Sequence, residues 1–174
     1  MTVLHMTNSH DTSYPPARGH VLLLSCMDPR VLDDTVEFMN HDNLANRYDH
    51  VILAGAALGA LGGCTAAFAH WRQTFFDHLE AAHKLHHIEE VYILEHRHCG
   101  AYHKVFEVAP EFGDTPDELA KEAACHRKYA RLLEREIAAW GKPRGISLSV
   151  KPFLMDLRGR VSLLSHEAKK PRTR

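Results

Sequence analysis

Two short stretches concentrate the side chains that can do chemistry: Cys26-Met-Asp28-Pro-Arg30 and His96-Arg-His-Cys99-Gly. Two thiols and an imidazole form a good donor set for zinc, and three protein ligands leave a fourth tetrahedral position for Asp28 or for water. That pattern belongs to catalytic zinc; closed structural sites more often take four ligands with Cys-x-x-Cys spacing, which this chain lacks. Thiolate and imidazole also select zinc over the hard, oxygen-seeking cations. Either stretch alone is weak, because a single cysteine at a strand end is usually buried structure and His-x-x-Cys arises by chance. Together they gain weight: each closes an apolar run of strand length, and they stand about seventy residues apart.

The elements that must position them follow from periodicity. "HVLLLSC" is a continuous apolar run suited to a strand covered on both faces. "VLDDTVEFMNH" places Val31, Leu32, Val36 and Met39 at helical spacing, and "DHVILAGA" is a second strand running into a glycine-rich turn. Thr65 to Leu85 carries a helical stripe of Phe68, Trp71, Phe75, Leu79, Ala82 and Leu85, with Arg72, Asp77, Glu80 and Lys84 outside. "EEVYILEH" is the third strand. A second long helix is predicted over Asp117 to Trp140, from the capping box "TPDE" to "GKPRG". "ISLSVKPFLMDLRGRVSLL" reads as a strand, a turn at Arg158-Gly159 and a short edge strand. Strands alternating with helices predict an α/β fold: a mainly parallel sheet with helices on both faces and an antiparallel edge strand near the C-terminus. In such sheets ligands bind off the carboxyl ends of the strands, where both motifs fall.

Composition sets the remaining bounds. With 174 residues, 45% hydrophobic and 25% charged, one globular domain is expected. A formal net charge of −1 gives no reason to expect nucleic acid or an anionic membrane as partner. The nineteen uncharged residues Val51 to Ala69 are weakly hydrophobic and glycine-rich, so they read as strand, loop and helix start rather than a span. Residues 1–18 read as an extended arm, 19–166 as the domain and 167–174 as a basic tail. The first residues lack the pattern of an export signal, which predicts a cytoplasmic protein. Four widely spaced cysteines then stay reduced, available for metal or for burial.

Cys-x-Asp-x-Arg after the first strand, an Ala-Gly turn after the second and His-x-x-Cys-Gly after the third resemble the β-class carbonic anhydrases. The likeness covers about Val21 to Tyr102 and is extended by "VKPFLMDLRGRV". It implies that Cys26, His96 and Cys99 bind zinc and that Asp28 and Arg30 form a dyad, with Asp28 able to become a fourth ligand in a closed state. It implies reversible hydration of CO2 to bicarbonate and a proton by hydroxide on zinc, since zinc lowers the pKa of bound water to about 7. It also implies a homodimer or higher homo-oligomer, its arm packed on a partner. The likeness fails at the turn, usually Arg-Asn-Ala-Gly in that family, where Ile52 and Leu53 replace a cation and an amide and make the approach more apolar. A hydrolase for COS or CS2, and a zinc-binding relative without hydrase activity, therefore stand as alternatives. His98 is the spacer between two proposed ligands. Cys64 reads as a small buried residue at a helix start and Cys125 as core. His83, His86, His87 and His103 read as surface residues, with proton relay the competing role.

Overall fold

The computed structural model describes residues 20–42 and 44–164, so the arm and the basic tail lie outside the described residues. Five strands form one sheet in the order β2-β1-β3-β4-β5: β1 is Val21–Ser25, β2 Tyr48–Ile52, β3 Glu90–His96, β4 Ser149–Met155 and β5 Val161–Leu163. The first four run parallel and β5 runs antiparallel to β4, as the sequence predicts.

The unbroken apolar run of β1 is explained by cover on both faces. Val21 and Leu23 pack with Tyr92, Leu94 and Met155 on one side, under Met39 of helix α1 (Leu32–His41). Leu22 and Leu24 pack with Val91 and Ile93 on the other, against helices α3 (Ala69–His86) and α4 (Pro116–Gly141). A short helix α2 (Ala57–Ala60) lies in the loop between β2 and α3. The central leucines are essentially inaccessible, and each contributes about 1.5–3 kcal/mol by burial. α4 starts at the predicted cap: Thr115 Oγ1 accepts the Glu118 N–H at 3.4 Å, and Glu118 reaches back beyond the cap to accept the Gly113 N–H at 3.2 Å.

The helical stripes differ from expectation in two places. In α1, Leu32 and Val36 are exposed while Thr35 and Met39 face the core. The Thr35 hydroxyl meets its need there by donating to the Val31 carbonyl at 2.6 Å. In α3 the inner stripe is Phe75, Phe76, Leu79 and Ala82, and its next position falls to His86, hydrogen-bonded to Asp49 of β2 at 2.8 Å; Leu85 turns to solvent. No described helix is long and apolar enough to cross a membrane.

Register places the two motifs together. β1 stops at Ser25, opposite Leu94, while β3 continues to His96, so both motifs leave the sheet at the same carboxyl edge.

Candidate metal centre

The turn after β1 organises itself. Asp28 is extended and caps the short 3-10 turn Pro29–Val31, with proline at its first position, where the missing N–H is not needed. Asp28 Oδ1 accepts the Arg30 backbone N–H at 3.0 Å and its Nε–H at 2.9 Å, and Oδ2 accepts from the terminal guanidinium nitrogen at 2.7 Å. This two-point grip holds the Asp28 carboxyl well down, at about 2. Arg30 also donates to the His98 carbonyl at 3.1 Å, tying the first motif to the second.

The turn after β3 is held from outside. Arg97 donates to Glu122 of α4 at 2.8 Å, and Glu122, with its side chain 2% exposed, also accepts the His98 backbone N–H. His98 takes a left-handed backbone (φ 55°), and the chain then turns Cys99 inward. The structure thereby brings Cys26, His96 and Cys99 together, all buried, their donor atoms within 4.8 Å of one another; among the described residues they form the one group able to hold a metal ion.

The donor set passes two tests of fit. The His96 Nδ1–H donates to the Arg97 carbonyl at 2.9 Å, which leaves the lone pair on Nε2; that atom is buried and has no hydrogen-bond partner among the described residues. An orphaned buried nitrogen is costly unless something binds it. The Cys26 and Cys99 sulfurs lie 3.8 Å apart, about the separation that two thiolates take on one tetrahedral zinc at ~2.3 Å each. The first sulfur is also prepared electrostatically. The hydrogen bond from Cys99 and the Gly55 N–H at 3.3 Å outweigh burial and hold the Cys26 thiol well below the usual thiol range. Cys99 moves the opposite way, because its proton is held by Cys26 and burial disfavours a second charge. Asp28 stays at the rim, its Oδ2 3.9 Å from His96 Nε2.

A cavity of about 280 Å³ opens beside these residues, lined by Cys26, Asp28, Leu32, Thr35, His50 and Ile52 among others. Ile52 supplies apolar lining as the variant turn suggests, whereas Leu53 packs on the core instead. Other sequence expectations shift. Cys64 is exposed, because its left-handed backbone (φ 54°) turns it out of the core. Cys125 is half-buried and packs on the core cluster. His87 is exposed, but His83, His86 and His103 are partly buried. Sequence reasoning missed Glu95, Glu122 and His126, all buried. A usable signal existed in α4, where residues 122, 126, 129, 133 and 137 trace one helical stripe and the two polar members stand on its inner face.

No protein-family model matches the chain. An uncharacterized protein of Rickettsia bellii is 34% identical over 138 residues, spanning 79% of this chain and 77% of that protein. Among solved structures, a carbonic anhydrase from Streptococcus mutans superposes with a TM-score of 0.52 at 18% identity, covering 90% of this chain and 89% of that one. A β-carbonic anhydrase from Trichomonas vaginalis gives a TM-score of 0.53 at 12% identity, covering 91% and 90%. At such identities the likeness speaks for the fold, which is that of the β-carbonic anhydrases. The chain belongs to the same family as the rickettsial protein.

Proposed function

We propose that this protein is a zinc enzyme that reversibly hydrates CO2 to bicarbonate and a proton, with Cys26, His96 and Cys99 as the zinc ligands and Asp28 and Arg30 as a catalytic pair. The observation that carries the reading is the buried, unpartnered His96 Nε2 beside two sulfurs 3.8 Å apart. When bound, zinc supplies a Lewis acid that brings the ionisation of water near neutrality. The rest is work for the chain. Arg30 occupies both oxygens of Asp28, keeping the carboxylate ionised and out of the ligand set. Asp28 is then free to orient the attacking nucleophile by accepting its hydrogen bond. The cavity beside Cys26 admits a small neutral molecule and has no lysine or arginine among its described lining residues.

That lining favours one second reading, turnover of a less polar relative of CO2 such as COS or CS2. Exposed Met27, Leu32 and Ile52 around the cavity support a homodimer that covers them, and free thiols suit the reducing cytoplasm. Stopped-flow CO2 hydration on protein of measured zinc content tests the assignment. Activity is expected, lost for the most part in both Asp28→Ala and Arg30→Ala, with zinc retained and the double variant hardly worse than the worse single one. Multiplicative losses would refute the pair. An inactive wild type that turns over COS or CS2 would move the assignment to the second reading.

A further inference from the structure

Beneath the centre, on the sheet face away from His96, one carboxylate gathers three elements. Glu95 is 1% exposed and follows the run Val91 to Leu94 in β3. Its Oε1 accepts the Ala57 N–H at 3.0 Å; its Oε2 accepts the Tyr102 hydroxyl at 3.1 Å and the His126 Nδ1–H at 2.8 Å. A buried carboxylate is expensive, and apolar side chains commonly replace such networks without loss of stability, so this one calls for a geometric reason.

The reason lies in what the partners support. Ala57 follows Gly55 and Ala56, both with positive φ, and Ala56 at φ 42°, ψ −108° is a conformation that costs any residue with a Cβ. One end of this turn aims the Gly55 N–H at Cys26 Sγ, and the other is tied to Glu95. Tyr102 belongs to the single π-helical turn Ala101–Val105 just after Cys99, and its backbone N–H donates to the Cys99 carbonyl at 3.2 Å. Glu95 therefore touches the support of both sulfurs and neither sulfur itself.

We propose that Glu95 is a positioning residue for the thiolate pair: by clamping the strained Gly55-Ala56-Ala57 turn it holds the Gly55 amide on Cys26 and so sets the electron density of that sulfur. This role rests on the metal reading above. An N–H donor draws charge from a thiolate, which makes the sulfur a weaker donor and the bound metal more electrophilic. Glu95 thus tunes the sulfur through the Gly55-Ala56-Ala57 turn, without touching it.

Cobalt(II) is the probe, because its thiolate charge-transfer band reports sulfur electron density directly. Glu95→Leu is expected to move that band to lower energy and change cobalt affinity by about 10-fold or more. Glu95→Gln, whose amide oxygen still accepts the Ala57 N–H, should stay near the wild type. Adding Ala56→Gly to the leucine variant should bring the band back, since glycine adopts the turn without a clamp. Glu95→Asp, too short to reach Ala57, gives the same test in a protein that keeps a buried carboxyl group, and should shift the band in the leucine direction. A folded Leu or Asp variant with the wild-type band and affinity would overturn the role, as would a shift that Ala56→Gly leaves untouched. Wild-type protein that takes up no cobalt would overturn the metal reading instead, a distinct result.

Discussion

The turns after β1 and after β3 meet at one centre but are built on opposite plans. After β1, the key contact joins residues two apart: Asp28 and Arg30 grip each other within a turn that Pro29 starts, and the Arg30 side chain is 49% exposed. After β3, the contacts reach far along the chain, from Arg97 to Glu122 and from Glu95 to Ala57 and His126, and the carboxylates are buried. A local, solvated pair is cheap to break and adds little to stability, whereas a long-range buried one ties elements together. The β1 pair can therefore be altered with little effect on the fold. On the β3 side, truncating one partner leaves another polar group unpaired in the interior and costs stability.

Substitutions sharpen this contrast, beginning with the largest effect. Glu122→Ala leaves the His98 N–H unpaired and takes from Arg97 its buried partner, leaving it Asp114 and the Gly113 carbonyl, and should cost about 2–4 kcal/mol in denaturant unfolding; a loss under 1 kcal/mol would erase the distinction between the turns. Gly63→Ala comes next. It has φ 60°, and a Cβ there would lie 2.2 Å from Phe106, whose ring is packed into the loop that carries Gly55, so a loss of roughly 1–3 kcal/mol is expected. Arg30→Ala, on the local side, should change stability by less than about 1 kcal/mol while removing most of the proposed activity; unfolding in step with activity would show that the β1 turn is structural after all.

The smallest effect is one of pH. Tyr92 of β3 donates to Asp42 at 2.8 Å, and burial followed by that carboxylate raises its phenol to about 12. A folded-state value above the ordinary 10 means the contribution is complete below pH 10 and is lost as pH rises toward 12. The stability difference between wild type and Tyr92→Phe should hold constant up to pH 10 and fall by pH 12. A difference that stays flat would contradict the long-range anchor.

The same contrast decides what the sequence makes legible. Continuous apolar runs mark β1, β2 and β3 because both sheet faces are covered, and Thr115-Pro-Asp-Glu118 announces α4 because capping is local chemistry. Cys26, Asp28 and Arg30 lie within five residues, so their juxtaposition can be read directly. Glu95, Glu122 and His126 could not be assigned, because all their partners but Tyr102 are 24 to 38 residues away and only the folded sheet brings them near. Val36 and Leu85 misled for the complementary reason: periodicity gives a stripe, but Thr35 and His86 took inner places once their hydrogen bonds were met. Cys64 followed its backbone, which no side-chain pattern encodes.

The central claim is that the two turns converge to hold one zinc through two sulfurs and one imidazole. Zinc-edge X-ray absorption on protein loaded to one zinc per chain tests it most directly. The account predicts two sulfur scatterers at about 2.3 Å and nitrogen or oxygen scatterers at about 2.0–2.1 Å, with one sulfur and most of the zinc lost in Cys99→Ala. An all-nitrogen-and-oxygen shell, or full zinc retained by that variant, would contradict it.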